Sequence, residues 1–269
     1  MHDIGGLSAK EARFLANLAS RDMQLFTTSD AQTYWGERQA TDQALYRLER
    51  RGWLYRLEGG VYMIVPLEAG PERRWSTSAL AVAPYLIEPS AIAYWTALHY
   101  WHLTEQIPRT TFVQSTARKR PNEKEILGMR FRFVQIAPVK FFGIVRRSVG
   151  GQAFTITDAE KTLVDAADRP ELSGGIAQLA QSLRLTGEIN WEQLTDYLLS
   201  WPLTSPIKRI GYLVDTLGIG IPNRQRILQT WGNAIAKGVV LLAPGHRQDG
   251  GSIVSRWQVR INVAGPWTS

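Results

Sequence analysis

The chain has 269 residues, of which 44% are hydrophobic and 20% charged, a composition typical of globular rather than disordered proteins. It contains no cysteine, which excludes disulfides, thiolate catalysis and zinc fingers. No apolar run approaches the roughly 18 residues of a membrane-spanning helix. The N-terminus also lacks the basic and apolar segments of a secretion signal, so we expect a cytoplasmic protein.

The formal net charge of +7 is concentrated in the middle third of the sequence. Residues 1–66 hold 8 basic and 8 acidic side chains, residues 67–157 hold 12 and 6, and residues 158–269 hold 11 and 10. A basic surface favours a polyanionic partner, and a solvated basic face is the equally simple alternative. The cluster Arg118, Lys119 and Arg120 is therefore a candidate auxiliary contact with a nucleic acid or a partner protein.

A capping-box pattern at Ser8 and Glu11 predicts the start of a first helix, because the hydroxyl and the carboxylate satisfy free amide donors. Its inner face would carry Phe14, Leu15 and Leu18. The sequence therefore predicts a first helix that packs on one face.

Two more helices are predicted before residue 53. The second is short, is capped near Thr28 or Ser29, and ends at Gly36. The third runs from about Arg38 to Arg51 and stops at Gly52. Helical spacing places one set of residues on its inner side: Thr41, Ala44, Leu45 and Leu48.

Residues 53–65 alternate apolar and polar side chains around Glu58, Gly59 and Gly60, where glycine permits the positive φ of a tight hairpin turn. Three helices followed by a two-stranded hairpin are typical of the winged helix-turn-helix. We therefore predict a winged helix-turn-helix DNA-binding domain over residues 1–66.

The outer side of the third helix has the chemistry of base recognition, since arginine reads guanine and glutamine reads adenine through paired hydrogen bonds. The candidate DNA-binding residues, including two in the wing, are Arg38, Gln39, Gln43, Tyr46, Arg47, Arg50, Arg56 and Gly60. An ordinary amphipathic helix is the alternative, but the glycine-tipped hairpin directly after it favours DNA binding. The zero net charge of this unit argues against tight DNA binding by it alone, an objection that a dimer or help from the basic middle third would answer.

A linker over residues 67–74 and an α/β domain over residues 75–269 are predicted next. The predicted helices of the α/β domain cover residues 76–86, 90–100, 157–168, 174–185, 190–199, 205–217 and 222–236. Its predicted strands cover residues 110–115, 129–136, 139–145, 152–156, 239–243 and 253–259. The fold class is thus α/β (α+β), with an N-terminal winged helix-turn-helix followed by a larger mixed α/β domain.

Signatures of enzymes are weak. Asp158 and Glu160 have the spacing of a magnesium-binding pair in nucleotidyltransferases, but no third carboxylate is evident, and Glu160 fits a capping box with Thr157 better. His99 and His102 lack a third ligand nearby. Dense aromatics at helical spacing are more typical of core than of base stacking: Tyr94, Trp95, Tyr100 and Trp101. We predict no catalytic residue, no metal and no cofactor.

Three segments carry a resemblance to a known family. They are Arg47-Leu-Glu-Arg-Arg-Gly-Trp-Leu54 with Gly60-Val-Tyr62, residues 93–109, and residues 156–176 with the run Thr157-Asp-Ala-Glu-Lys-Thr-Leu-Val-Asp165. From about Leu7 to Leu217 the chain resembles the AbiEi-type antitoxins of bacterial type IV toxin–antitoxin systems, which are transcriptional regulators of phage defence by abortive infection. The last two segments are the more specific ones.

The resemblance implies a non-enzymatic protein with two domains. The first domain would bind operator DNA, often an inverted repeat, as a homodimer, and would repress the operon. Its DNA contacts would lie on the third helix and on the wing around Arg56 and Gly60. The second would counteract a nucleotidyltransferase-like toxin, directly or functionally; no membrane partner is implied. The alternatives are a nucleotidyltransferase or nuclease that acts through the second domain, and a ligand-sensing transcription factor.

Overall fold

The N-terminal part of the chain folds into three helices and three strands. The computed structural model describes residues 6–69, 77–185, 187, 189–245 and 250–265. The elements are α1 (Ala9–Ala19), β1 (Leu25–Thr27), α2 (Thr28–Trp35), α3 (Arg38–Arg50), β2 (Leu54–Glu58) and β3 (Val61–Ile64). The strands form an antiparallel sheet in the order β1-β3-β2. This arrangement agrees with the predicted winged helix-turn-helix and adds β1, which the sequence pattern does not reveal.

Local capping sets the helix starts. Ser8 and Glu11 form the predicted capping box of α1: the Ser8 amide donates to the Glu11 carboxylate at 2.9 Å and the Glu11 amide donates to the Ser8 hydroxyl at 3.3 Å. A second capping box joins Thr27 and Asp30 at the start of α2. The predicted cap at Thr28 or Ser29 is therefore wrong by one or two residues. The predicted inner face of α3 is buried.

A larger mixed α/β part follows. Its first elements are α4 (Ala79–Val82), β4 (Ala91–Ile92), α5 (Tyr94–Tyr100), β5 (Thr110–Ser115), β6 (Glu123–Ile126), β7 (Met129–Gln135), β8 (Ile144–Val149) and β9 (Gln152–Thr157). Six of these are strands of one sheet in the order β6-β7-β5-β4-β9-β8. The pairs β5·β7 and β4·β9 are parallel, and the other pairs are antiparallel.

Helices dominate the C-terminal half. The elements are α6 (Ala159–Asp168), α7 (Gly175–Arg184), α8 (Trp191–Ser200), α9 (Ser205–Thr216), α10 (Arg224–Ala234), β10 (Val240–Leu241), β11 (Ile253–Val254) and β12 (Val259–Arg260). Helix α6 contacts α5, α7, α8 and α9, and its Leu163, Val164, Ala166 and Ala167 are fully buried. This helix is therefore the centre of the C-terminal core. Among the described residues, no helix has the length and apolarity that crossing a bilayer requires.

Several predicted boundaries are wrong. The predicted helix over residues 90–100 begins only at Tyr94, because β4 takes the preceding residues into the sheet. The predicted strand over residues 139–145 starts as a 3₁₀ turn, and β8 begins at Ile144. The predicted helix over residues 76–86 is α4 followed by a 3₁₀ turn, and Ser76 lies outside the described residues. The predicted strand over residues 253–259 consists of β11 and β12.

One apolar cluster contains side chains from both parts of the chain. The N-terminal sheet contributes Leu25, Leu57, Val61 and Met63. The second part contributes buried residues from α4, its 3₁₀ turn and the six-stranded sheet, among them Ala81, Val82, Leu86, Ile92, Val113, Phe131 and Ile156. The sheet of the winged helix thus packs on the six-stranded sheet through this cluster, whereas a separate core lies within the winged helix and contains Phe14, Phe26 and Leu45. The predicted division into residues 1–66, 67–74 and 75–269 stays a prediction.

Candidate nucleic-acid interface

A stripe of polar side chains runs along the outer side of α3. Gln39, Gln43, Tyr46 and Arg50 follow one another at intervals of four, three and four residues, which places them on one face of a helix. All four are exposed, Tyr46 to 58%. We call these four residues the α3 stripe.

The C-terminal end of the α3 stripe is held by a contact within the stripe itself. Nη1 of Arg50 donates to the Tyr46 hydroxyl at 3.4 Å, and its guanidinium carbon lies 5.8 Å from the Tyr46 ring centroid. Such a cation–π contact at an exposed site contributes about 0.5–1 kcal/mol. At the other end, Arg38 is exposed and lies 4.0 Å from Asp42. Both arginines present their guanidinium groups at the surface of α3.

Arg47 has a different environment from Arg50. Its Nε lies 3.1 Å from the Glu11 carboxylate, which is 1% exposed and also lies 3.1 Å from Nη1 of Arg51. Burial alone would raise the pKa of Glu11, but hydrogen bonds from Ser8 and Arg47 and the charge of Arg51 together lower it below its ordinary value. Arg47 therefore fixes α3 to α1, a contact that the sequence pattern does not predict.

The wing is short and its turn packs against α2. Gly60 has φ +79°, and its carbonyl accepts a hydrogen bond from the Thr28 amide at 2.8 Å. Arg56 on β2 is exposed, with its guanidinium carbon 5.9 Å from the Tyr62 ring centroid. Gly60 thus shapes the turn, and Arg56 is the wing residue that presents a charge to solvent.

Glu58 in the wing binds two lysines of the second part of the chain. Its carboxylate oxygens lie 2.6 Å from Nζ of Lys119 and 2.6 Å from Nζ of Lys124, and Lys119 also donates to the Leu86 carbonyl. Burial alone would raise the pKa of Glu58, but the two lysines outweigh it and hold the pKa below its ordinary value. We call Glu58, Lys119 and Lys124 the wing clamp.

The wing clamp corrects the prediction for the basic cluster. Lys119 has only 17% of its side chain exposed and is bound within the protein, so it is a structural link and not a surface contact. Arg118 and Arg120 on either side of it are exposed. Because Lys119 reaches Glu58, these two arginines lie beside the wing.

The carboxylates after β9 have structural partners. Asp158 is the N-cap of α6: its Oδ1 accepts from the Lys161 amide at 2.7 Å, and its Oδ2 accepts from the Tyr197 hydroxyl at 2.8 Å. Glu160 accepts from the Asn190 amide at 2.7 Å. The predicted capping box between Thr157 and Glu160 is therefore wrong. No group of three potential metal ligands occurs within the described part of the chain.

The aromatic run on α5 is largely structural. Tyr94 is buried, and Tyr100 packs edge-to-face on Trp101 and Phe154. The Trp101 indole donates to the Thr157 carbonyl at 2.7 Å. Tyr94 thus lies inside the fold, and Tyr100 and Trp101 are half-buried with partners within the protein.

Comparisons with known proteins agree with this geometry. Over 94% of its length the chain is similar to 92% of the RV2827C protein from Mycobacterium tuberculosis in its crystal structure, with a TM-score of 0.62 and 20% sequence identity. At this identity the similarity concerns the fold, and it confirms the predicted mixed α/β class with an N-terminal winged-helix region. The sequence matches none of the curated proteins with which it was compared.

Residues 13–65 match the family described as "Transcriptional regulator, AbiEi antitoxin". The matched stretch begins within α1 and ends just after β3, so it covers the α3 stripe, Arg56 and Gly60. The resemblance to AbiEi antitoxins that the sequence predicts is therefore confirmed over residues 13–65.

Proposed function

We propose that this protein is a DNA-binding antitoxin that represses its own operon. The observation that supports this function best is the exposed α3 stripe, which is followed directly by a wing with an exposed arginine. The family match over residues 13–65 supports the same regulatory function.

Within the interface, we assign base recognition to the α3 stripe. Arg50 would bind guanine, and Gln39 and Gln43 would bind adenine, through paired hydrogen bonds in the major groove. Arg38 and Arg56 would contact phosphates and set the register of the helix on the duplex. Tyr46 would contact a phosphate or a thymine methyl group. Two protomers on an inverted repeat would double the sequence that is read.

Replacing Gln43 and Arg50 together by alanine is expected to abolish sequence preference while the fold is kept, since both side chains are exposed. Each paired contact with a base contributes about 1–3 kcal/mol of discrimination, so the affinity ratio of operator to scrambled duplex should fall by at least about 30-fold. This affinity ratio is measured by fluorescence anisotropy at about physiological salt. DNA from upstream of the gene serves as the operator.

Arg226→Ala is the matched control, because Arg226 is an exposed arginine on the remote helix α10. It should leave the ratio unchanged. Arg47 is avoided in this test, because its removal would also weaken the contact between α1 and α3. An unchanged ratio in the Gln43→Ala/Arg50→Ala protein would reject the proposed base-reading face.

Arg118 and Arg120 are proposed to bind phosphates beside the wing. Replacing both by glutamine should make the slope of log affinity against log salt shallower by about 1 for each phosphate that is no longer bound. Arg184→Gln with Arg226→Gln is the control, because it makes the same charge change on exposed residues of α7 and α10. Equal slopes for the two double variants would show that Arg118 and Arg120 act only through net charge.

The antitoxin function has a separate test in cells. The proposal requires that the adjacent gene encodes a nucleotidyltransferase-like toxin, and co-expression of this chain with that gene is then expected to restore growth that the toxin alone arrests. Restoration by the Gln43→Ala/Arg50→Ala protein under a foreign promoter would place the counteracting activity outside the DNA-reading face. Failure of the unaltered chain to restore growth would reject the antitoxin part of the proposal.

A further inference from the structure

One acidic residue lies among the basic residues beside the wing. Glu58 ends β2, and its two carboxylate oxygens lie 2.6 Å from Nζ of Lys119 and 2.6 Å from Nζ of Lys124. The Glu58 and Lys119 side chains are only 13% and 17% exposed. Lys119 also donates to the Leu86 carbonyl, and its ammonium lies 5.2 Å from the Phe133 ring centroid. The wing clamp is therefore a mostly buried connection with several contacts, unlike an ordinary surface ion pair.

A β-bulge near the end of β2 sets the directions of the side chains beside the wing clamp. The register of β2 and β3 shifts between Arg56 and Glu58, so one extra residue, Leu57, is inserted there. Leu57 is buried in the apolar cluster shared with the six-stranded sheet, and Glu58 reaches the two lysines. Arg56 is exposed. The bulge thus lets two consecutive residues attach the wing to the second part of the chain while Arg56 stays at the surface.

Three exposed arginines lie next to the wing clamp in the chain. Arg56 lies two residues before Glu58 in the wing. Arg118 and Arg120 lie on either side of Lys119, in the segment between β5 and β6. Because two residues span at most about 7 Å of chain, the backbone of all three arginines lies close to the ion pair. The wing clamp therefore holds the wing and this segment, with their three positive charges, in one arrangement.

The charge of Glu58 by itself opposes DNA binding. A carboxylate repels phosphates, and this one also occupies two lysines that could otherwise bind them. If Glu58 acted only as a charge, its replacement would strengthen binding. If Glu58 holds the wing and the segment between β5 and β6 together, its replacement would weaken binding, because side chains that are fixed before binding lose less conformational freedom. The two roles thus predict opposite changes in affinity.

We propose that Glu58 is a positioning residue for DNA binding. It makes no contact with the duplex and acts through Arg56, Arg118 and Arg120, which it holds in place to bind phosphates of one duplex. The second part of the chain then fixes the position of the wing on the DNA. The proposal rests on the DNA-binding function proposed above.

Glu58→Gln keeps the shape of the side chain and removes its charge. We expect the affinity for the operator duplex to fall at least about fivefold at about physiological salt, although the net charge of the protein rises by one. The affinity for a scrambled duplex should fall to the same extent, since phosphate contacts carry no sequence information. Equal or tighter binding of the operator by Glu58→Gln would overturn the proposal.

Glu192→Gln is the matched control. It makes the same change of charge in an exposed ion pair, which joins Glu192 of α8 to Arg226 of α10. We expect Glu192→Gln to bind the operator at least as tightly as the unaltered chain. A loss equal to that of Glu58→Gln would show that the position of Glu58 in the wing clamp is not what matters, and would also overturn the proposal.

Removal of the three arginines tests whether Glu58 acts through them. In a chain that carries Arg56→Gln, Arg118→Gln and Arg120→Gln, the further change Glu58→Gln should no longer weaken binding. All four chains are compared at about 50 mM salt, where weak binding to phosphates is measurable. A general loss of folding would weaken binding in both backgrounds, so an equal loss in both would overturn the proposal. Absence of DNA binding by the unaltered chain would instead reject the proposed function, and the positioning role with it.

Discussion

A chain that ends at Ala69 is expected to lose cooperative unfolding, although it contains all the elements of the winged helix. Leu25, Leu57, Val61 and Met63 are buried against the six-stranded sheet and its neighbouring helix. Full burial of such a side chain contributes about 1.5–3 kcal/mol. Losing even half of this for four residues removes a large part of the roughly 5–15 kcal/mol that stabilises a typical domain.

Thermal unfolding followed by circular dichroism measures this effect, with the full chain under the same conditions as the reference. We expect a broad, non-cooperative change and binding of hydrophobic dyes at room temperature for the truncated chain. A sharp transition near the melting temperature of the full chain would contradict the expectation, and would show that the winged helix is an independent folding unit.

Replacing Lys161 by methionine is expected to destabilise the protein by about 3–5 kcal/mol. The Lys161 ammonium lies 2.5 Å from the Asp165 carboxylate, and both side chains are buried. The second oxygen of this carboxylate has no hydrogen-bond partner among the described residues. Removing the lysine therefore leaves a buried carboxylate without its counter-ion. Urea denaturation at neutral pH measures the change.

The pH dependence gives this prediction a direct check. Burial raises the pKa of Asp165 from 3.8 to about 6, although Lys161 acts against it. Since the folded pKa lies above the ordinary value, the stability that Asp165 contributes is present below pH 3.8 and is lost as the pH rises to about 6. The cost of Lys161→Met should therefore be smaller at pH 5 than at pH 7.5, because a neutral Asp165 needs no counter-ion.

A double variant separates loss of the ion pair from loss of packing. Lys161→Met with Asp165→Leu removes both charges, and such replacements of buried ion pairs are often neutral or stabilising. We expect it to recover most of the stability that the single variant loses. A double variant as unstable as Lys161→Met would show that the contacts of the Lys161 ammonium with the Phe142 and Trp201 rings, 5.3 and 4.8 Å from their centroids, matter more than its ion pair with Asp165.

The sequence predicts those elements that have a local signal. Helix α1 has a capping box, α3 has a helical apolar face, and the β2–β3 hairpin has its glycine turn. Strands β1 and β4 have three and two residues, too few for a detectable period. They exist because Leu25 pairs with Met63 and Ile92 pairs with Ile156, and distant pairing of this kind leaves no trace in a local pattern.

The same distinction applies to the candidate interface. Exposure of the α3 stripe follows from the apolar face of one helix, so it is predictable from 13 residues. The different environments of Arg47 and Arg50 are not predictable, because Glu11 lies 36 residues before Arg47. Likewise, Glu58 and Lys119 are 61 residues apart. Both glutamates are absent from the predicted site. The capping-box pattern marks Glu11 only as a residue of a helix start, and no sequence signal distinguishes Glu58 from an ordinary surface acid.

The apolar cluster shared by the winged helix and the six-stranded sheet has a geometric consequence for DNA recognition. A recognition helix on a flexible linker can adjust to half-sites at different separations, whereas one that is packed against the rest of its subunit cannot. Together with the wing clamp, this cluster joins the sheet of the winged helix to the rest of the subunit, and α3 packs on the same sheet. If two subunits bind one operator, the folded structure of each subunit limits the distance between the two α3 helices. The protein should then bind half-sites at one separation only.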